Sequence, residues 1–240
     1  MFSNLTDRLH WLYRRFRVGA SFHRNDALGA LHRAWGYVHA TFLIGDYYEF
    51  GVYRGTSLLN SWLSCGHFRR NLEAGMGLRF RREGNVGAFL DRHPVFHAFD
   101  TFSGMPDNDE GEANLVRGSY FGGKEDLVAR AALVGLRPPD LRVVEGLFRD
   151  SAKTLSGPAA VVHIDCDLHA SARDALDVIE PCLRQGTVVL FDDFNLFRAD
   201  DLKGERRALK EFQERTGVVF EPWFAYGPAA QSFLVHTDRS

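Results

Sequence analysis

Two short acidic stretches carry the chemistry that this sequence can do. His163-Ile164-Asp165-Cys166-Asp167-Leu168-His169 follows one apolar run, and Phe191-Asp192-Asp193-Phe194 closes another. If the runs are neighbouring strands, Asp165, Asp192 and Asp193 meet where the strands end. Crowded carboxylates repel and raise one another's pKa, and a divalent cation resolves the conflict. An oxygen-only set without thiolates suits Mg2+, Mn2+ or Ca2+ rather than zinc or copper, and three carboxylates leave positions for water or substrate oxygens. Capping of following helices explains one aspartate per strand end, not four converging. Asp165 and Asp167 share a side while the backbone stays extended. Asp167 is then a fourth ligand or a general base, and Cys166 turns away into packing. His169 stands beside a substrate or at the surface start of a helix. His163, inside its apolar run, reads as a core histidine, and His97 and His236 as structural.

A second group of residues suits a nucleoside-like cofactor. Glu49-Phe50-Gly51-Val52-Tyr53-Arg54-Gly55-Thr56-Ser57 ends an apolar run and opens a helical pattern. Gly51 and Gly55 permit a tight turn and close approach of a ligand. The spacing is neither the dinucleotide G-x-G-x-x-G nor a P-loop. Thr56 or Ser57 can cap the new helix, whose first amides favour an anionic group such as a ligand carboxylate. Glu49 sits where it can face the cofactor. The next apolar run ends in Phe99-Asp100-Thr101-Phe102-Ser103-Gly104. An acidic residue at the end of the second strand of a doubly wound sheet typically binds ribose hydroxyls, which points to Asp100, with Thr101 and Ser103 beside it. Glu145-Gly146-Leu147-Phe148 reads as a tight turn after a third strand.

These residues need a scaffold that gathers strand ends. Apolar runs at 47–52, 95–99, 141–144, 159–164 and 187–191 alternate with helical patterns at 57–68, 124–133, 170–183 and 201–215; strand-like runs at 218–223 and 232–236 close the chain. Alternation of this kind predicts an α/β fold with a mostly parallel sheet covered on both faces. Such sheets bind ligands beyond the carboxyl ends of their strands. Two segments break the rhythm. Residues 69–94 are basic, weakly periodic and without an assigned place. Residues 103–123 are acidic and Gly-rich and begin at a strand's carboxyl end, which suits a lid; Tyr120 or Phe121 in it can line an acceptor pocket. Before the sheet, Phe2, Leu5, Leu9, Leu12 and Phe16 recur at helical spacing, and Leu28, Leu31, Trp35 and Val38 follow as a second helix. Residues 1–44 therefore read as a helical cap or subunit interface, favoured over a membrane-surface helix, and 45–240 as the main domain.

Composition narrows the class. The chain has 240 residues, 45% of them hydrophobic, enough for one domain with a full core. A net charge of −2 argues against a nucleic-acid partner. Cys65, Cys166 and Cys182 share no metal-binding spacing, which suits a reduced cytoplasmic setting. No apolar stretch is long enough to span a membrane, and charges interrupt any signal-peptide core.

In combination, Glu49-Phe50-Gly51-Val52-Tyr53-Arg54-Gly55, Phe99-Asp100-Thr101-Phe102-Ser103-Gly104-Met105-Pro106, Val144-Glu145-Gly146-Leu147-Phe148, His163-Ile164-Asp165-Cys166-Asp167-Leu168 and Gly186-Thr187-Val188-Val189-Leu190-Phe191-Asp192-Asp193-Phe194 resemble the macrocin-type (TylF/MycF-like) sugar O-methyltransferases. The metal-site logic is more distantly similar to that of catechol-type methyltransferases. The resemblance implies a class I, Rossmann-like, seven-stranded methyltransferase sheet, S-adenosylmethionine, and Mg2+ (or Mn2+). It implies metal roles for Asp165, Asp192 and Asp193 and a general-base role for Asp167, with His169 the next candidate base. It places the cofactor on Glu49, Gly51, Tyr53, Arg54, Gly55, Thr56, Ser57, Asp100, Thr101, Ser103, Gly146, Leu147, Phe148 and Asp165, with the adenine at 146–148. The family usually carries Tyr where His169 stands and a second Gly near Thr187, so the acceptor is expected to differ from a macrolide sugar.

The expected reaction is methyl transfer to a hydroxyl of a sugar-like small molecule, by a homo-oligomer joined through the N-terminal helices. A catechol or phenol acceptor would need the same metal site. A non-catalytic S-adenosylmethionine-binding partner subunit would not need four acids kept together. A nicotinamide oxidoreductase is disfavoured by the missing G-x-G-x-x-G.

Overall fold

The computed structural model describes residues 26–76, 84–107, 115–151, 155 and 157–238. The first of the two N-terminal helical patterns, and with it the interface expected there, lies outside the described residues. The second pattern forms α1 (Ala27–Thr41). There follow β1 (Asp46–Phe50), α2 (Thr56–Met76), α3 (Gly84–Asp91), β2 (Phe96–Asp100), α4 (Lys124–Leu133), β3 (Leu141–Glu145), β4 (Ala159–Ile164), α5 (His169–Ile179), β5 (Val188–Phe191), α6 (Gly204–Thr216), β6 (Val219–Ala225) and β7 (Gln231–His236). One seven-stranded sheet runs β3-β2-β1-β4-β5-β7-β6. The first five strands in that order are parallel, and β7 pairs antiparallel with both β5 and β6.

The central strands are buried along their whole length, and mostly apolar, because helices cover both faces. Their side chains alternate between two cores. Val161, Val188 and Leu190 join Tyr47 and the α1 residues Leu31, Trp35 and Val38 on one face. Val162, Ile164, Val189 and Phe191 join Leu176 and Ile179 of α5 and Leu209 and Phe212 of α6 on the other. Leu31, Trp35 and Val38 of the α1 stripe are thus spent within this domain, while Leu28 stays exposed.

The unassigned 69–94 segment begins as a continuation of α2, which runs to Met76, eight residues beyond the sequence-based end. Two of its described arginines have partners in the chain. Arg69 donates to Glu73 and to the carbonyls of Leu90 and Arg92, and Arg92 donates to Asp46 at 2.9 Å. The segment braces the N-terminal ends of β1 and β2, opposite the strand ends where ligands bind.

Candidate active site

The carboxyl ends of β1, β2, β4 and β5 open onto a cavity of about 380 Å³. On its first side the chain leaves β1 through Gly51, whose φ of +89° is left-handed. A Cβ there would lie 1.9 Å from the carbonyl oxygen of Asp165, so only glycine allows the β1 and β4 ends to touch. Tyr53, also left-handed at φ +48°, lines the cavity. Asp100 ties the two loops together. Its Oδ2 accepts the Val52 and Tyr53 N–H groups at 2.8 and 2.9 Å, and its Oδ1 accepts that of Phe102 at 2.8 Å. Asp100 and Thr101 line the cavity, as do Leu147 and Phe148 in the turn after β3. Gly146 sits at φ +128° and donates its N–H to the Asp100 carbonyl at 3.0 Å.

Not every residue expected at the cofactor faces the cavity. Glu49 is fully buried behind the loop, accepting from the Tyr47 hydroxyl at 2.5 Å and from the Ser57 hydroxyl. Ser57 is thereby spent on Glu49. Arg54, Thr56 and Ser103 are exposed, with Arg54 over the Tyr53 ring, and Gly55 is buried against Leu127. These six, and Gly146, lie outside the cavity lining.

The acids form the other side. Asp165, Asp192 and Asp193 each offer a carboxylate oxygen within 4.8 Å of the others. The extended backbone ends at Ile164, and Asp167 is left-handed at φ +55°. Its carboxyl still joins the cluster by pairing with Asp193. Cys166 packs against the second core as expected and also touches the cavity. Burial first, and then the neighbouring carboxylates, push Asp165 and Asp193 well above the ordinary carboxylate range. Burial raises Asp167 as well, with Asp192 adding to it. Among the described residues lining the cavity there is no lysine or arginine. The donor set therefore fits a hard divalent cation: carboxylates only, crowded, and short of positive charge.

Two residues that sequence reading did not assign to the site belong to it. Glu205, in the first turn of α6, is fully buried and accepts the Asp193 N–H at 3.1 Å. Burial and the four aspartates hold its carboxyl well above the usual range. Its signal in the sequence was an acid at a helix start after a strand, easily taken for a favourable helix-dipole contact. His163 is the other. It is fully buried, with Nδ1 3.8 Å from Glu49 Oε1 and Nε2 3.6 Å from Asp192 Oδ1. Burial lowers its pKa, but the two carboxylates outweigh burial and hold it well above the ordinary histidine range. The sheet register explains the meeting. Glu49 is the direct partner of His163, which is the partner of Leu190, two residues before Asp192. Strand parity puts all three side chains on the α1 face. His169 goes elsewhere: its Nε2 lies 2.8 Å from Glu211 Oε2 on α6, and it is not among the residues lining the cavity.

The outer wall comes from the described parts of the 103–123 segment. Met105 and Ser119 bond across it at 2.8 Å, and Gly122 lies so close to Tyr53 that a Cβ would meet its carbonyl oxygen at 2.2 Å. Tyr120 lines the cavity and meets Tyr53 edge-on, with ring centroids 6.2 Å apart. Phe121 is exposed and outside the lining. Across the opening, Ser171 and Asp174 of α5 complete the lining.

A parallel sheet with one reversed strand, and ligand loops at its carboxyl edge, defines a class I methyltransferase fold. The macrocin-O-methyltransferase (TylF) family model matches residues 85–222, more than half of the chain, and the protein belongs to that family. It is an O-methyltransferase. Among solved structures it is similar to the O-methyltransferase NovP, at 19% identity and a TM-score of 0.63, over 86% of this chain and 78% of that one. It is also similar to the calicheamicin methyltransferase CalS11, at 20% identity and a TM-score of 0.55, over 86% and 77%. An O-methyltransferase from Bacillus cereus in complex with SAH aligns over 98% of this chain and 92% of that one, at 12% identity and a TM-score of 0.50. At these identities the likenesses establish the fold. No curated protein matches by sequence.

Proposed function

We propose that this protein transfers a methyl group from S-adenosylmethionine to a hydroxyl of a sugar-like small molecule, with Mg2+ or Mn2+ held by Asp165, Asp192 and Asp193. The observation that carries the reading is the convergence of those three carboxylates, within 4.8 Å of one another, beside the cavity that the β1 and β2 loops wall from the other side. When bound, the cofactor supplies an electrophilic methyl and the cation lowers the pKa of the acceptor hydroxyl. Asp100 and the Gly51 turn hold the ribose and amino-acid parts of the cofactor. Leu147 and Phe148 pack on its adenine. Asp167, at the rim of the acid cluster, takes the proton from the reacting hydroxyl. Ser171 and Asp174 on α5 and Tyr120 in the outer wall orient the acceptor, so that hydroxyl and methyl start in line. The family supports a sugar acceptor, as does the description of CalS11 as a TDP-rhamnose 3'-O-methyltransferase.

Isotope-labelled methyl transfer to matched panels of glycosides and catechols tests the reading. Transfer to a glycoside should vanish on exhaustive chelation and return with Mg2+. A preference for catechols would replace the acceptor class. Tight cofactor binding with negligible turnover on every acceptor would favour the non-catalytic partner. Transfer that survives both chelation and Asp192→Asn would remove the metal.

A further inference from the structure

His163 does not behave as a packing residue. Its neighbours in the same layer, Val161, Val188 and Leu190, are apolar, and a buried polar ring without tight partners is costly where an aliphatic side chain would fit. Both ring nitrogens face carboxylates, yet at 3.8 and 3.6 Å each stands beyond hydrogen-bond length. A small tilt closes one contact and opens the other. The two carboxylates lead to different places. Glu49 is anchored through the Ser57 hydroxyl in the first turn of α2, directly behind the Gly51 loop. Asp192 is one of the three converging acids.

We propose that His163 is a positioning residue that couples the two halves of the site, so that filling either half tightens the other. The inference rests on the reading above, in which the β1 loop holds the cofactor and the aspartates hold the cation. With the ring tilted to Asp192, it competes with a cation for that carboxylate. With the ring tilted to Glu49, it withdraws from Asp192 and braces the loop through Ser57. Both ligands favour the second position, and a two-position element biased by both sites makes their affinities rise together, by the same factor in each direction.

The test uses the full chain and two probes, Mn2+ followed by electron paramagnetic resonance and S-adenosylhomocysteine followed by calorimetry, each titrated with and without the other. In the wild type each probe should tighten the other about fivefold or more, with equal factors. A Gln amide stands near the Nε2 position and an Asn amide near Nδ1. His163→Gln should therefore stay on Asp192 and bind Mn2+ at the weak, uncoupled level. His163→Asn should stay on Glu49 and bind it at the tight, coupled level. Both should show a coupling factor near one. Coupling that persists in either folded variant overturns the proposal, and so does a wild-type factor of one, which needs no variant. A wild type that binds S-adenosylhomocysteine but no Mn2+ removes the metal reading and this inference with it; one that binds both independently removes this inference alone.

Discussion

The sheet buries two histidines, and they are solved in opposite ways. His97, on β2 near the N-terminal ends of the strands, stacks on Tyr48 at 4.4 Å and lies 3.7 Å from Asp46 Oδ2. Asp46 in turn accepts from Arg92 at 2.9 Å and from the Val95 N–H at 3.0 Å. Negative charge there is answered within the chain. His163, at the opposite end, lies between Glu49 and Asp192, with Asp165, Asp167, Asp193 and Glu205 around them. No lysine or arginine among the described residues lines that cavity. Crowded buried carboxylates are costly to ionise together, and here burial and mutual repulsion hold the acids protonated well above the ordinary range. The first end is built for stability and the second, with its crowded acids, suits a cation.

The sharpest break of that contrast is Asp192→Asn, which weakens the cation site. Methyl transfer should fall on the order of a thousandfold, roughly 4 kcal/mol of barrier, measured as labelled product at saturating Mg2+. Next comes Asp167→Asn, which keeps the shape but cannot take a proton. It should lose about a hundredfold in kcat and flatten the acid limb of the pH–rate profile. His169→Ala, by contrast, should stay near wild type, because His169 is engaged with Glu211 outside the cavity lining. At the first end, Asp46→Asn should destabilise without touching chemistry. About 2 kcal/mol is expected, discounted because Arg92 is partly exposed, or roughly 4–8 °C in Tm, with kcat per folded molecule unchanged.

The smallest effect is on pH. Asp165 and Asp193 have raised folded pKa values, so without metal the folded state binds more protons than the unfolded one once pH exceeds the ordinary carboxylate value near 4. Their contribution to stability is therefore full below that value and is lost as pH rises through the folded pKa. A cation needs the same groups deprotonated, so its stabilisation should grow over the same window. Mg2+ at ten times its Kd should add about 1.4 kcal/mol. Thermal melts should show a larger Mg2+ shift at pH 8 than at pH 6; equal shifts would mean that the acids are already ionised in the metal-free protein.

Much of the fold was legible because buried parallel strands write themselves as short apolar runs, and all seven were located within about two residues of the observed bounds. The four aspartates were legible for the same reason: a strand end is where a polar residue interrupts such a run. What stayed hidden depends on register and tertiary contact. Nothing local in Tyr47-Tyr48-Glu49 tells that Glu49 pairs across to His163 rather than facing a ligand. The basic 69–94 segment looked like an insertion because the bonds that place it, from Arg69 to the Leu90 and Arg92 carbonyls and from Arg92 to Asp46, span more than 20 residues of sequence. Glu205 was passed over because sequence shows that an acid begins a helix, not that the helix end is buried against Asp193.

The absent side chain at Gly51 sets where this enzyme has slack. A single methyl group there would collide with the Asp165 carbonyl oxygen and pry the β1 side of the cleft from the acid side. The seam between β1 and β4 is a fixed ruler, so the distance between donor and reacting oxygen should resist redesign. Ser171 and Asp174 on α5 line the cleft from an element outside that seam. A change of acceptor, by evolution or in the laboratory, has its freest positions there.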